Sequence, residues 1–260
     1  MNDWLRVTRG DTPLIVSMPH VGTRIPAPFD AGLIDPHAAT RDADWHIDRL
    51  YVFAAETGAT LIATDISRTV IDLNRDPAEV SLYPGQATTG LVPTTHFDGS
   101  PLYRAGAEPT DVAARRASYY DPYHAALSEE IARLRAAHPA IVLYDAHSIL
   151  SRVPRLFEGE LPQFNIGTNS GASCAPALAD AVFDACPEPK VRDGRFKGGW
   201  ITRNYGAPAR GVHAIQMELA IRGYADESAP EVWDAARAAP MQATLRTILS
   251  AALDFAKGCP

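Results

Sequence analysis

Ala140-Ile141-Val142-Leu143-Tyr144 is an apolar run that gives way to Asp145-Ala146-His147-Ser148. So short and so apolar a run predicts a strand buried on both faces, as in the middle of a parallel sheet. Leu14-Ile15-Val16-Ser17-Met18, followed by Pro19-His20, reads the same way. Ala59 to Ala63 and Val70-Ile71-Asp72-Leu73 are strand-like, Phe164 to Gly167 is a further candidate, and Val212 to Leu219 alternates like a strand.

Between these runs the period changes. Trp45 to Thr57 places Ile47, Leu50, Tyr51, Ala54 and Ala55 at helical spacing and stops at Gly58. Helix is expected again from Thr110 to Ser118. It restarts after Pro122 with Tyr123, Leu127, Ile131 and Leu134 on one face, and Pro139 ends it. Pro176 to Ala185 and about Ala229 to Ala256 are also helical. Residues 76–109 are rich in Gly, Pro and Thr and lack any period, which predicts a long functional loop or lid; 187–211 also reads as loop-rich. Strands alternating with helices predict an α/β fold, a three-layer single domain over residues 1–260 around a largely parallel or mixed central sheet.

Composition narrows the function classes. The chain has 260 residues, 46% hydrophobic and 21% charged, which is ordinary globular composition. A chain of this length buries roughly three quarters of its unfolded surface and needs no disulfides. A net charge of -7 argues against a nucleic-acid partner, whose phosphates want a basic face. It leaves room for a small anionic substrate, since a few arginines in a pocket outweigh a global charge locally. Cys174, Cys186 and Cys259 are odd in number and widely spaced, which suits a reducing compartment. No apolar stretch approaches the roughly twenty residues of a membrane span. The expectation is a cytoplasmic protein.

The chemistry gathers at strand ends, where open α/β sheets form their sites. One strand runs into His20, a second into Asp145-Ala146-His147-Ser148, and a late one carries Gln216-Met217-Glu218. Between the first two lies Asp42-Ala43-Asp44-Trp45-His46-Ile47-Asp48. A catalytic zinc site wants three protein ligands, typically two imidazoles and a carboxylate, with a fourth position open. His20, Asp44 and His147 fit that description, with Asp42 and Asp48 competing for the carboxylate role and His46 as an orienting neighbour. Glu218 is the candidate to accept a proton from water and pass it to a leaving amine. Each has a plainer explanation alone: a hydrogen-bonded core histidine, a helix-capping aspartate, a glutamate paired with arginine. Jointly they are harder to dismiss.

A second constellation is cationic: Arg68, Asn74-Arg75, Arg195-Phe196-Lys197 and Arg203. Arginine's planar fork matches a carboxylate in two parallel bonds, and a dicarboxylate needs more than one such clamp. Asn74-Arg75 follows directly on an apolar run and is the strongest of these. There is no G-x-S-x-G elbow, no phosphate-binding P-loop and no dinucleotide fingerprint.

Ser17-Met18-Pro19-His20-Val21-Gly22-Thr23, Asp42 to Asp48, Ser67 to Arg75, Asp145 to Ser148 and Gly194-Arg195-Phe196-Lys197-Gly198-Gly199 together resemble the N-formylglutamate amidohydrolases. The resemblance runs from about Pro13 to Tyr224, with the five blocks in the same order. It implies a metal hydrolase related in fold to the zinc carboxypeptidases, cleaving N-formyl-L-glutamate to L-glutamate and formate in histidine breakdown. It implies His20, Asp44 and His147 as ligands of one divalent metal, zinc first, with cobalt, iron or manganese also suited to such donors. It further implies Asn74-Arg75 as the holder of the substrate α-carboxylate and Glu218 as general base. Arg68 or Arg203 would face the oxyanion, and the other arginines with Lys197 the side-chain carboxylate. Unlike the carboxypeptidase plan, the first histidine is not closely followed by a glutamate, so the carboxylate ligand must come from the Asp42 to Asp48 cluster. The rival readings are a metal amidase or carboxypeptidase acting on another N-acyl amino acid, a non-catalytic binding module, and a hydrolase using Cys174 as nucleophile.

Overall fold

A computed structural model describes residues 3–259. Seven strands, β1 (Leu5–Thr8), β2 (Leu14–Met18), β3 (Thr60–Thr64), β4 (Ile141–Ile149), β5 (Phe164–Gly167), β6 (Lys190–Arg192) and β7 (Val212–Ala220), form one mixed sheet in the order β1-β3-β2-β4-β7-β5-β6. The central strands β3, β2, β4 and β7 run parallel, while β1 and β5 join antiparallel to β3 and β7. Helices α1 (Ile47–Leu50), α2 (Val112–Arg115), α3 (Asp121–Ala137), α4 (Pro176–Ala185), α5 (Trp200–Tyr205) and α6 (Ala235–Gly258) complete the α/β architecture. Among the described residues no helix is long and apolar enough to cross a membrane.

Alternation along the strands explains the layers. On one face Leu14, Val16, Met18, Val142, Tyr144, Ala146, Ile215, Met217 and Leu219 meet α4 and α6. On the other, Ile15, Ile141, Leu143, Val212 and Ala214 meet α3 and Ile201 of α5. That second face changes character part way along. Ile15 is followed on it by Ser17, Leu143 by Asp145 and His147, and Ala214 by Gln216 and Glu218. These polar positions lie at the carboxyl ends of the strands, and all are buried.

Several boundaries depart from expectation. β4 does not end at Tyr144 but continues through His147 to Ile149, paired residue for residue with β7. Val70 to Leu73 is no strand; it is a turn-rich segment, buried at 2% exposure or less because it lies inside the second core face. The expected helix 45–57 divides into α1 and a 3-10 stretch, Val52–Thr57. A π turn at Arg116–Tyr120 joins α2 to α3 just ahead of Pro122, whose missing N–H disturbs the regular ladder. Residues 187–211 contain β6 and α5, and the edge strand β1 carried too short a pattern to foresee.

The loops after β2 and β3 are stitched together by Arg24 N donating to Asp65 O at 2.9 Å and Ser67 N to Arg24 O at 2.9 Å. Gly22, two residues past His20, makes this possible: a Cβ there would stand 2.3 Å from the carbonyl carbon of Asp65 and 2.4 Å from the oxygen of Ile66. Gly22→Ala is therefore expected to cost about 1–3 kcal/mol of stability. Urea unfolding checks it, the midpoint falling with the slope unchanged.

Candidate active site

His20 leaves the end of β2, and its carbonyl accepts the backbone N–H of Asp44 at 2.9 Å, so the loop carrying Asp44 is tied to the strand carrying His20. His147 arrives from β4. One ligand atom from each of these three buried residues lies within 4.8 Å of the others. His147 Nδ1 is 2.9 Å from Asp44 Oδ2, while His20 Nδ1 stands 3.6 Å from the same oxygen, too far for a hydrogen bond. His20 Nδ1 and Asp44 Oδ1 are buried without a hydrogen-bond partner. Buried polar atoms are normally satisfied, so two orphans facing a third donor suit a cation.

The far nitrogen of each ring is held by a second aspartate. His20 Nε2 is 2.8 Å from Asp72 Oδ1, and His147 Nε2 is 2.9 Å from Asp145 Oδ2. This carboxylate–imidazole arrangement turns each Nδ1 inward, the orientation that metal-binding histidines take. Asp145 is itself fixed by Ser17 Oγ at 3.0 Å and by Asn74 Nδ2 at 3.0 Å. Asp72 accepts Arg68 Nη2 at 2.6 Å and the backbone N–H of Asn74 at 2.9 Å.

The electrostatics follow from burial. Desolvation opposes the charge on Asp72, yet the guanidinium of Arg68, followed by Arg75 and His20, outweighs it and holds the carboxyl well below the usual range. Asp44 is likewise held low against desolvation by the two histidines. Desolvation also opposes charge on His147, but Asp145 and Asp44 win, and its pKa rises well above that of free imidazole. Glu218 is the exception. Burial dominates and pushes its pKa up to about 8. It is 7% exposed, accepts Gln216 Nε2 at 3.3 Å, and sits beside His147 in the β4–β7 register.

His20, His147 and Glu218 open into a cleft walled by Arg68, Arg75, Arg195, Tyr83, Phe97 and Phe196 among others. Arg68 lies over the ring of Phe97 at 4.7 Å, and its Nη1 is 3.6 Å from Asp44 Oδ1. Arg75 donates to Thr89 O at 2.9 Å and Thr89 Oγ1 at 3.0 Å, which anchors it to the irregular 76–109 segment.

The remaining expected residues divide. Asn74 lines the cleft, but its amide is committed: Nδ2 reaches Asp145 and His147, and Oδ1 accepts the N–H of Ile201 at 2.7 Å. Lys197 is exposed and lies outside the lining. Arg203 is outside it too, drawn against Tyr83 at 4.9 Å with its Nε on Gly198 O. Asp42 is engaged by His96 and the N–H of Phe97, and Asp48 by Arg6, so neither joins the histidines. His46 turns away against Trp233 at 5.3 Å and orients no ligand. Burial pushes the Cys174 thiol up to about 12, which leaves it a poor nucleophile. Sequence reading gave no role to Asp72, Asp145 or Gln216, and it named Arg195 only as one of several cations. For Asp145 and Gln216 the signal was their alternation with His147 and Glu218.

The mixed sheet carries this cleft at the carboxyl ends of its parallel strands, where open α/β enzymes place their sites. The sequence model for "N-formylglutamate amidohydrolase" matches residues 12–225. Over 263 aligned residues the chain is 48% identical to an N-formylglutamate deformylase of Pseudomonas aeruginosa, covering 99% of this chain and 98% of that one. It is 44% identical to another of Pseudomonas putida, covering 97% of each. A crystal structure of N-formylglutamate amidohydrolase from Ralstonia eutropha JMP134 superposes with a TM-score of 0.80 at 28% identity, covering 97% of this chain and 98% of that one. The chain belongs to the N-formylglutamate amidohydrolase family.

Gly199 keeps the Asn74 amide in place: its N–H donates to Gln216 Oε1 at 2.7 Å, and a Cβ there would stand 2.4 Å from Asn74 Nδ2. Gly199→Ala is expected to turn Asn74 away from Asp145 and His147 and to lower stability by about 1–3 kcal/mol. Nitrogen NMR of the His147 ring checks this; an unchanged ring signal would show that Asn74 does not position it.

Proposed function

We propose that this chain, acting as one catalytic domain over residues 1–260, hydrolyses the formyl amide of N-formyl-L-glutamate, a small dianion, to formate and L-glutamate. What carries the reading is the buried cluster of His20, Asp44 and His147, with both imidazole Nδ1 atoms turned to Asp44 Oδ2, at the head of an arginine-walled cleft in a chain of this family. His20, Asp44 and His147 would hold one divalent cation, zinc by the donor set, with cobalt, iron or manganese also compatible. A cation held there supplies Lewis acidity: it polarises a carbonyl, acidifies water, and by its charge draws Glu218 back toward the carboxylate form.

The chain's own residues supply the rest. Glu218 takes a proton from the attacking water as the oxygen–carbon bond forms at the formyl carbon. It returns that proton to the amide nitrogen as the carbon–nitrogen bond breaks, so formate and amine leave balanced. Burial of Glu218 serves the first half of this exchange, since a raised pKa makes its carboxylate a stronger base toward the attacking water. Arg68, stiffened by Asp72 and Phe97, provides fixed positive charge for the developing oxyanion. Arg75 takes the α-carboxylate. Asn74 acts through Asp145 and His147, and Lys197 and Arg203 have no part in the cleft.

Formate release from N-formyl-L-glutamate is the direct test. Turnover is expected from zinc-loaded protein, with loss on chelation and recovery on reloading. Undiminished turnover by His20→Ala and His147→Ala, or a preference for N-formyl-L-methionine, would end the reading. Glu218→Gln is expected to lower kcat by about 10²–10⁴-fold with KM little changed. Steady-state kinetics check it, and an unaltered kcat removes Glu218 as the proton carrier.

A further inference from the structure

Three guanidiniums face the cleft, and their surroundings differ. Arg68 is paired with Asp72 at 2.6 Å and lies 3.6 Å from Asp44; Arg75 lies 3.6 Å from Asp72. Arg195 has no such partner. Among the described residues no carboxylate oxygen lies within 4.0 Å of its nitrogens; its hydrogen bonds go to neutral carbonyls, Nε to Leu156 O at 2.7 Å and Nη2 to Ala87 O at 2.8 Å. Its guanidinium is pressed between Tyr83 at 5.2 Å and Phe196 at 5.3 Å. Half-buried, flanked by aromatic rings and without a close ion pair, it is a costly arrangement for a cation that serves only to pack. Burial depresses its pKa; Tyr83 and the more distant Glu218 oppose that effect, and the charge of Arg75 adds to it.

Those two carbonyl bonds use only part of the guanidinium. Arginine carries five N–H donors in a plane, and the remainder stay available to one face. The two carbonyls and the two rings hold that plane in one orientation, as bidentate recognition of a carboxylate requires. Ala87 and Tyr83 belong to the segment 76–109 and Leu156 to the loop after β4, so Arg195 is gripped from both sides of the cleft.

We propose that Arg195 is the specificity-determining residue that binds the substrate's side-chain carboxylate, leaving Arg75 to the α-carboxylate. The assignment rests on the deformylase reading above. It divides the dianion between two cations of different kinds: Arg75 is close to an internal acid, and Arg195 gains its ion pair only when substrate arrives. A neutral side chain would leave Arg195 buried and unpaired, so selectivity for an acidic amino acid comes as much from that penalty as from attraction.

The test compares zinc-loaded wild type with Arg195→Gln on N-formyl-L-glutamate and N-formyl-L-glutamine, which differ in that one carboxylate. The substitution is expected to lower kcat/KM for the glutamate compound about a hundredfold, mainly through KM. The glutamine compound should change less than about threefold, so that the preference between them collapses. An equal loss on both, or an intact preference, overturns the assignment. Calorimetric binding of glutarate against its monoamide reads the same clamp without turnover: the tighter binding of glutarate should vanish in the variant, and its persistence refutes the proposal. Glutarate binding that depends on Arg195 in a wild type that releases no formate would sink the deformylase reading and leave the clamp standing. If Arg195→Gln does not fold by circular dichroism, Arg195→Lys is read in the same way, since a lysine keeps the charge and loses the fork.

Discussion

The unbroken ladder between β4 and β7 is what the rest of the structure depends on. Nine residue pairs run in parallel from Ile141–Val212 to Ile149–Ala220, and because side chains alternate, everything on one face of both strands advances together. The first pairs on the cleft face are apolar and seat α3 and α5; the later ones, Asp145 with Gln216 and His147 with Glu218, are polar. A slip of one residue in either strand would send a histidine or the glutamate into the opposite core against α4 and α6. Core packing and site geometry are thus specified by the same register. The β2–β4 pairing extends this to Ser17 beside Asp145, and His20 follows three residues later.

Placing so many carboxylates in a dry site calls for compensation. Asp44, Asp72 and Asp145 are each 1% exposed or less, and isolated charges at that depth would be neutralised by a shift in pKa. They stay low or paired because each has a cationic or hydrogen-bonding partner: Arg68 on Asp72, Ser17 and Asn74 on Asp145, the imidazoles on Asp44. Asp145 and Asp44 raise the pKa of His147, but His20 Nδ1 and Asp44 Oδ1 have no hydrogen-bond partner, which is the physical argument for a cation among these residues.

How much of this was legible in the sequence follows from what sequence patterns record. Buried parallel strands announce themselves as apolar runs, so β2, β3, β4 and β7 were readable, and with them the neighbourhoods of His20 and His147. The apolar period records burial, however, and not hydrogen bonding. Val70 to Leu73 therefore looked like a strand although it is a turn sunk in the core. The end of β4 was misplaced for the converse reason: its last residues are polar on one face because they form the site, while Ala146 keeps the other face apolar. Choosing Asp44 over Asp42 and Asp48 needed the loop to be seen tied to the His20 carbonyl, a contact without local signature. The arginines were least legible. A cationic side chain reads the same whether it lines a cleft, as Arg195 does, or stands exposed two residues on, as Lys197 does.

Those arginines also reconcile the chain's net charge of -7 with the anionic substrate proposed above. Exposed charges more than about 8–10 Å apart are screened at physiological ionic strength, so the surface acids contribute little to the potential inside the cleft. What matters there is the local balance, in which Arg68 and Arg75 lie beside the buried Asp44 and Asp72 while Arg195 forms no ion pair among the described residues. Low-dielectric walls of Phe97, Phe196 and Tyr83 strengthen that field. On the proposed reading, a dianion entering the cleft supplies the ion pair that the fold leaves unmade at Arg195. Substrate charge and site charge are complementary only when both are present, which is how a strongly acidic protein can select an acidic ligand.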